Sequence, residues 1–168
     1  VENPAVLDLG TGSGAVAIAI ASERPDAAMT ATDLSPAALA VARRNADRHG
    51  IPSLRLVEGS WFEPLAGERF EAIVSNPPYV PAGDPALAAL ASEPRLALVA
   101  GASGLEAIAC IVAGAAAHLA PGGRLLLEHG ATQGAPVREL FRSTGFEGVA
   151  TRCDLAGQER VTEGTRVR

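Results

Sequence analysis

The sequence predicts an α/β domain in which helices cover both faces of a doubly wound, mostly parallel sheet. Three observations lead to this fold class. Short apolar runs alternate with helical patterns along the chain, and a glycine-rich turn follows the first run. The last two runs have no helix between them. Because their short connection cannot make a parallel crossover, they predict an antiparallel hairpin at the end of the sheet.

The strands are predicted from short runs of Val, Leu, Ile and Ala that end at turn residues. The first run, at 5–9, is apolar throughout and ends at glycines, which is typical of a buried strand. The remaining predicted strands lie at 28–32, 54–58, 70–75, 123–128, 146–152 and 160–167.

The helices are predicted from the patterns between these strands. The first, at 15–22, ends before Pro25, because the residue before a proline disfavours helical backbone. Ser35 is predicted to cap the second, which has Pro36 in its first turn and runs to about 49. Segment 80–104 carries only a short helical pattern at 85–91, and so long an irregular segment is usually functional. The other helices are predicted at 105–119 and 135–143.

Composition narrows the class of protein. A chain of 168 residues predicts one domain, 1–168, and 48% hydrophobic residues exclude a disordered chain. Only 4% are aromatic, so the core is predicted to consist of Ala, Val, Leu and Ile. All 14 basic residues are Arg, which excludes lysine-based catalysis and a Walker A lysine. The net charge of −5 disfavours binding to nucleic-acid phosphates.

Cysteine usage and hydropathy point to the cytoplasm. Cys110 and Cys153 have no metal-binding spacing, so we expect reduced core thiols. The longest apolar stretch, 107–117, is too short to cross a bilayer, and no secretory signal is visible, so no membrane association is expected. The chain begins at Val1 rather than Met, which we interpret as a piece of a longer protein.

A glycine-rich turn carries the first functional motif. Residues 8–14 read DLGTGSG and connect the first strand to the first helix, where glycines let the backbone approach a ligand. Asp33 ends the second strand, where a carboxylate can accept both ribose hydroxyls. Together they predict an adenosine-containing cofactor, whereas a plain turn capped by Ser13 would need only one glycine. The predicted binding residues in the turn are Asp8, Gly10, Thr11, Gly12, Ser13 and Gly14.

The charge of Asp8 bears on which cofactor binds. Gly10, Gly12 and Ala15 also satisfy the relaxed dinucleotide pattern, so an NAD-binding module without catalysis stays open. However, Asp8 would then place a carboxylate beside a pyrophosphate. A carboxylate suits the amino group and sulfonium of S-adenosylmethionine better, and we therefore favour the methyl donor.

The second motif, Asn-Pro-Pro-Tyr at 76–79, follows the fourth strand at the edge where such folds bind ligands. The two prolines remove N–H donors and stiffen the backbone. We expect the Asn76 side-chain oxygen and the Pro77 carbonyl each to accept an N–H of a planar amino group, while Tyr79 stacks on its flat face. Asn76, Pro77 and Tyr79 are the candidate catalytic residues, and Pro78 completes the substrate-binding set. Asn76 is also expected to contact the cofactor.

These motifs together resemble the peptide chain release factor glutamine methyltransferases, over nearly the whole chain. The tetrapeptide at 76–79 is shared with enzymes that methylate the exocyclic amine of adenine, so an adenine methyltransferase acting on DNA or RNA remains the alternative. The stretches LEHG at 127–130 and ERVT at 159–162 are more specific to the release-factor family. Further matching residues are 61–65, 93–98 and 104–105.

The resemblance implies a class I methyltransferase fold, S-adenosylmethionine as donor and S-adenosylhomocysteine as product. It implies the glutamine of a Gly-Gly-Gln loop in a release factor as acceptor, with Trp61 near the adenine. Ser60 stands where the family usually has Asp, so an adenine contact is expected to be weakened or taken over by its hydroxyl. Family members also have an upstream helical docking domain, so we expect residues 1–168 to correspond to the catalytic domain alone. We expect a monomer with no metal, and either structural or substrate-contacting roles for Glu128 and His129.

Overall fold

The structure, a computed structural model, describes residues 2–84 and 101–167. The helical pattern predicted at 85–91 and the family-like stretch at 93–98 lie outside the described residues.

The described residues contain a sheet whose strands follow the order β3-β2-β1-β4-β5-β7-β6. The pairs from β3 to β5 are parallel, whereas β7 pairs antiparallel with both β5 and β6. This confirms the predicted doubly wound sheet with an antiparallel hairpin. The strands are β1 (Ala5–Leu9), β2 (Ala28–Asp33), β3 (Arg55–Glu58), β4 (Phe70–Ser75), β5 (Leu119–Glu128), β6 (Phe146–Cys153) and β7 (Glu159–Arg166).

The helices match the predicted ones to within one residue at their starts. Ser35 caps its helix as expected, since its hydroxyl oxygen accepts from the Ala38 backbone N–H at 3.2 Å. A short 3₁₀ helix (Glu63–Leu65) connects β3 to β4. The α-helices are α1 (Ala15–Glu23), α2 (Pro36–Arg48), α3 (Glu106–His118) and α4 (Gly134–Ser143).

One strand begins earlier than predicted. β5 starts at Leu119 instead of 123, although Pro121 and two glycines follow its first residues. Leu119 pairs with Phe70, and the register then shifts before Arg124 pairs with Ala72. The irregularity accommodates the proline and glycines within the strand, which a reading of local sequence takes for a loop.

Side chains on the two faces of the sheet form two apolar clusters. Leu7 and Leu9 of β1 pack in the cluster under α3 and α4, whereas Val6 packs in the cluster under α1 and α2. Small aliphatic residues dominate both clusters, as predicted. The buried aromatic residues in the first cluster are Phe70, Phe141 and Phe146. Helices thus cover both faces of the sheet, so a ligand site is left to the ends of its strands.

The hairpin of β6 and β7 brings its tip to the edge where the parallel strands end. Glu128, the last residue of β5, pairs with Val161 near the start of β7. Cys153 pairs with Glu159 across the hairpin. The connection at 154–158 therefore lies at the carboxyl edge of the parallel strands.

The prediction of core thiols is wrong in one respect. Both Cys110 and Cys153 are free, but both are exposed. Cys110 lies on a helix that is apolar nearly all round, so sequence did not show which face points outward. Within 2–84 and 101–167, no helix has the length and apolar character needed to span a membrane. The same residues contain no cluster of metal-ligating side chains.

Candidate active site

The strand register brings the predicted site residues to one edge of the sheet. Leu9, the last residue of β1, pairs with Thr32 of β2 on one side and Ser75 of β4 on the other. The Ser75 hydroxyl donates to the Leu9 carbonyl at 2.6 Å, which joins the two strand ends. The glycine turn, Asp33 and Asn76 all follow directly from these paired residues, so they gather in one crevice.

The glycine turn requires glycine for conformational reasons. Gly10, Gly12 and Gly14 have φ values of 66°, 55° and 82°, in the left-handed region. Gly14 occupies the N-cap of α1, and no side chain caps that helix. The exposed Ser13 therefore does not cap α1, which removes the simple turn explanation of the motif. In the first turn of α1 the Ala17 N–H donates to Asp8, and the N–H groups of Ala15 and Val16 remain available to a ligand.

Asp8 lies beneath this turn and is 1% exposed. The Thr11 hydroxyl donates to its carboxylate at 2.6 Å. Burial raises the pKa of Asp8 to about 6 from its usual 3.8, against hydrogen bonds from Thr11 and the Ala17 backbone that lower it. A nearby cation would stabilise the charged form of this buried carboxylate, whereas the same negative charge would repel a pyrophosphate.

Asp33 faces the same turn from β2. One of its carboxylate oxygens accepts from the Gly12 N–H at 2.8 Å, and the other accepts from the Ser35 N–H at 2.8 Å. The carboxylate is thus oriented at the crevice by two backbone groups. An acceptor held this way suits a pair of ribose hydroxyls.

Trp61 covers the other side of the turn. A Cβ added to Gly10 would lie 3.3 Å from its ring, so the indole is close to the loop backbone. Trp61 adopts φ 44°, unusual for a bulky residue, and its carbonyl accepts from the Thr32 hydroxyl at 3.4 Å. Ser60 is half-buried beside it, and its carbonyl accepts from the Glu63 N–H at 2.9 Å. The indole therefore forms a wall beside the glycine turn, and its contact with an adenine stays a prediction.

The tetrapeptide at 76–79 leaves β4 at the adjoining position. Asn76 is exposed and its side chain makes no hydrogen bond to the described residues, whereas Pro77 is buried and Tyr79 is half-buried. The Tyr79 hydroxyl lies 3.5 Å from a carboxylate oxygen of Glu128. Burial, followed by the charge of Glu128, raises the pKa of Tyr79, so the phenol is neutral at pH 7. The corner therefore presents a free amide side chain on a fixed backbone.

His129 belongs to a chain of hydrogen-bonded polar groups. Its side chain is fully buried, and its Nε2 is 2.9 Å from the Thr162 hydroxyl. That hydroxyl is 2.8 Å from the Thr151 hydroxyl, to which Arg138 donates at 2.8 Å. This chain of polar groups joins the end of β5 to the hairpin and α4. No local pattern indicates it, because its members are far apart in sequence.

Gln133, just before α4, is a further site residue that the sequence does not reveal. Its side chain hydrogen-bonds to the backbone of Tyr79 and of two other segments. A glutamine at the start of a helix is ordinary, so only the fold shows what it contacts.

The residues at this edge fit a cationic adenosine-containing methyl donor. The open space above Gly12, where an added Cβ would meet nothing within 4 Å, leaves room over the turn. Asp33 presents oriented acceptor oxygens and Asp8 a buried negative charge. Trp61 supplies an apolar wall. This combination of groups disfavours NAD, whose pyrophosphate would meet the Asp8 charge.

The chain is similar to curated bacterial proteins named release factor glutamine methyltransferase. It is 55% identical over 161 residues to the protein from Xylella fastidiosa strain Temecula1. It is 46% identical, also over 161 residues, to that from Escherichia coli K12. Each match covers 95% of this chain and 58% of the relative, so the chain spans less than two thirds of the relatives' length.

Solved structures show the fold. A methyltransferase from Pyrococcus furiosus superposes with a TM-score of 0.75 at 21% identity, covering 99% of this chain and 77% of that one. The S-adenosylmethionine-dependent methyltransferase SibL superposes with a TM-score of 0.70 at 19% identity, covering 98% of this chain and 51% of that one. The predicted class I methyltransferase fold is confirmed. A family model described as "Methyltransferase small domain" matches residues 2–92.

Proposed function

The chain belongs to the methyltransferase small domain family, and from that premise we propose that it methylates the side-chain amide nitrogen of a glutamine in peptide chain release factors. The methyl donor is S-adenosylmethionine, and the acceptor is the glutamine of the Gly-Gly-Gln loop. A substrate that acts on the ribosome assigns the reaction to the cytoplasm.

The observation that carries this proposal is the exposed Asn76 side chain, which has no hydrogen-bond partner in the described part of the chain and lies beside the crevice of Asp8, Gly12 and Asp33. An amide group that has no hydrogen-bond partner within 2–84 and 101–167, and that lies beside a donor crevice, is suited to bind another amide. The curated relatives are named for the same reaction, which supports the choice of a glutamine.

The donor would be held by residues of β1, β2 and the segment after β3. Asp33 would accept the ribose hydroxyls, Trp61 would contact the adenine, and Asp8 would balance the positive charge. The Gly10–Gly14 turn would lie against the donor, and the free N–H groups at the start of α1 would face it. When bound, S-adenosylmethionine supplies an electrophilic methyl group.

The acceptor nitrogen would be activated by orientation. An amide nitrogen is a weak nucleophile because its lone pair is delocalised into the carbonyl. Hydrogen bonds from its two N–H groups to the Asn76 oxygen and the Pro77 carbonyl would fix the nitrogen and favour tetrahedral geometry. Tyr79 would stack on the amide plane. No strong base is required, since a proton can leave to water once the nitrogen has reacted.

Mass spectrometry of a release factor tests the proposal. The purified chain is incubated with S-adenosylmethionine and a release factor, and the peptide containing the Gly-Gly-Gln loop is sequenced. A methyl group on that glutamine is expected, and none on a release factor in which the glutamine is changed to alanine. Methylated DNA or RNA in a parallel reaction, with an unmodified release factor, would replace this proposal by the adenine alternative.

A further inference from the structure

The carboxamide of Gln133 lies among three backbone segments at the acceptor side of the site. Its Oε1 accepts from the Gly130 N–H at 2.9 Å, just beyond β5. Its Nε2 donates to the Tyr79 carbonyl at 3.1 Å and to the Gly104 carbonyl at 3.3 Å, ahead of α3. Although Gln133 occupies the N-cap position of α4, its side chain does not cap that helix. The side chain thus hydrogen-bonds to backbone segments outside α4.

The partners fix the carboxamide in one orientation. A backbone N–H can only donate, so it faces the oxygen of Gln133, and two carbonyls can only accept, so they face its NH₂ group. Both N–H bonds of that group are used. The side chain is half-buried. A side chain that hydrogen-bonds to three separate backbone segments holds them at fixed positions relative to one another.

These contacts hold the far end of the corner at 76–79. At its near end the corner leaves β4, where Ser75 is bonded to β1. Pro77 and Pro78 lie between and have no N–H to donate, so the corner depends on its two ends. At the far end the Tyr79 carbonyl would lie 2.4 Å from a Cβ on Gly104, so the two backbones touch there. Gln133 bridges this contact.

We propose that Gln133 is the positioning residue of the Asn-Pro-Pro-Tyr corner. By holding the Tyr79 carbonyl against Gly104 and Gly130, it sets where the Asn76 oxygen and the Pro77 carbonyl stand when the substrate glutamine docks. It touches neither donor nor acceptor. The effect on catalysis rests on the proposed function, whereas the effect on the corner does not.

The variant Gln133→Glu tests the catalytic effect. A carboxylate keeps the shape and still accepts from Gly130, but it sets a negative charge against two carbonyl oxygens. We expect kcat for release-factor methylation to fall about tenfold or more, while the dissociation constant of S-adenosylhomocysteine stays within about twofold. Gln158→Glu makes the same change at the exposed hairpin tip and is expected to alter neither value.

A second measurement does not need activity. Tyr79 is the only tyrosine, so a chain labelled with 3-fluorotyrosine gives one fluorine NMR signal from the corner. Gln133→Glu is expected to shift, broaden or split this signal, and Gln158→Glu to leave it unchanged. If Gln133→Glu does not fold, Gln133→Met keeps the length without the polar contacts and is measured instead. The thermal unfolding temperature decides which variant is used.

The outcomes separate the two proposals. An unchanged fluorine signal in a folded Gln133 variant overturns the positioning role. So does a loss of S-adenosylhomocysteine affinity as large as the loss of kcat, because that indicates general damage to the fold. If the wild-type chain leaves release factor unmethylated while the signal still responds, the proposed function fails and the structural role of Gln133 stands.

Discussion

The carboxylate of Asp33 accepts a hydrogen bond from the backbone N–H of Gly12, with 2.8 Å between oxygen and nitrogen. The two residues belong to different strand-to-helix connections, so this bond ties the glycine turn to the end of β2. It also orients the carboxylate toward the crevice before any ligand arrives. An acceptor that is already oriented loses little freedom on binding.

Asp33→Asn is expected to weaken S-adenosylhomocysteine binding. The amide loses the charge, and one of its two ends becomes a donor that faces the N–H of Gly12 or of Ser35. Hydrogen bonds to charged groups contribute about 1.5–3 kcal/mol, which corresponds to roughly 10- to 100-fold in affinity. Calorimetry measures it, with the exposed Asp47→Asn as control. Equal affinities for both variants would remove Asp33 from the donor site.

Asp8→Asn is expected to change stability in a pH-dependent way. The pKa of Asp8 is raised in the fold to about 6 from 3.8. The unfolded chain therefore releases this proton first, and wild-type stability declines as pH rises from about 4 to about 6 and then levels off. Asparagine does not ionise, so the stability of the variant has no such decline with pH. Relative to wild type, the variant should therefore gain stability between about pH 4 and about pH 8, by roughly 2–3 kcal/mol.

Urea unfolding at both pH values measures this gain. Comparing the two pH values cancels the pH-independent effects of replacing the carboxylate, such as an altered hydrogen bond from Thr11. Asp47→Asn, on the exposed face of α2, is expected to show no comparable dependence. A variant-to-wild-type difference that is the same at both pH values would contradict the raised pKa.

Gly104→Ala is expected to destabilise the chain more than Gly122→Ala. Both glycines have φ 77°, so both substitutions strain the backbone equally. The added Cβ meets nothing within 4 Å at Gly122, but at Gly104 it would lie 2.4 Å from the Tyr79 carbonyl. The excess loss should be on the order of 1–3 kcal/mol. Chemical denaturation measures the free energy of unfolding of both variants. Equal losses would show that the Tyr79 backbone moves aside without cost.

Asn76→Ala is expected to abolish methylation while preserving donor binding. The substitution removes one of the two proposed acceptors for the substrate amide, and losing a transition-state hydrogen bond costs about 10²- to 10³-fold in rate. S-adenosylhomocysteine affinity should change by no more than about twofold in the same variant. The lone tryptophan, Trp61, gives a fluorescence signal for that titration. Near-normal methylation of a release factor would exclude the proposed role of Asn76.

Thr162→Val is expected to destabilise the fold through His129. The valine has nearly the same shape, but it leaves the buried Nε2 of His129 without its partner at 2.9 Å. An unsatisfied buried polar group costs about 1–3 kcal/mol. Thr165→Val on the same strand is the control, since its hydroxyl has no hydrogen bond among the described residues. Similar free energies of unfolding for the two variants would argue against the buried polar chain.

Local patterns were sufficient for the fold because its elements are marked by local chemistry. Glycines end β1, Ser35 and Pro36 begin α2, and alternating strands and helices leave few possible topologies. The start of β5 was missed because Leu119 joins the sheet through a register shift with Phe70. Such an irregularity depends on the partner strand and leaves no mark in the sequence of β5 itself.

The site divides in the same way. The glycine turn and the corner at 76–79 are contiguous motifs, so their residue types alone predicted a ligand edge. Gln133, Thr162 and the exposure of Cys110 depend on contacts between distant segments or on the outward face of a helix. Nothing in the neighbouring residues indicates them. The residues that support a motif from distant segments are therefore harder to predict from the sequence than the motif itself.

The contact between Trp61 and Gly10 bears on how the motif would decay over evolutionary time. A Cβ at position 10 would lie 3.3 Å from the protein's own indole, closer than most Cβ contacts, whereas a Cβ at position 12 would meet nothing within 4 Å. Both positions have a positive φ and therefore favour glycine even in a descendant that no longer binds the methyl donor. Position 10 carries the contact with the indole as well, so of the two glycines Gly12 is the one that would be replaced more readily once the donor site is abandoned.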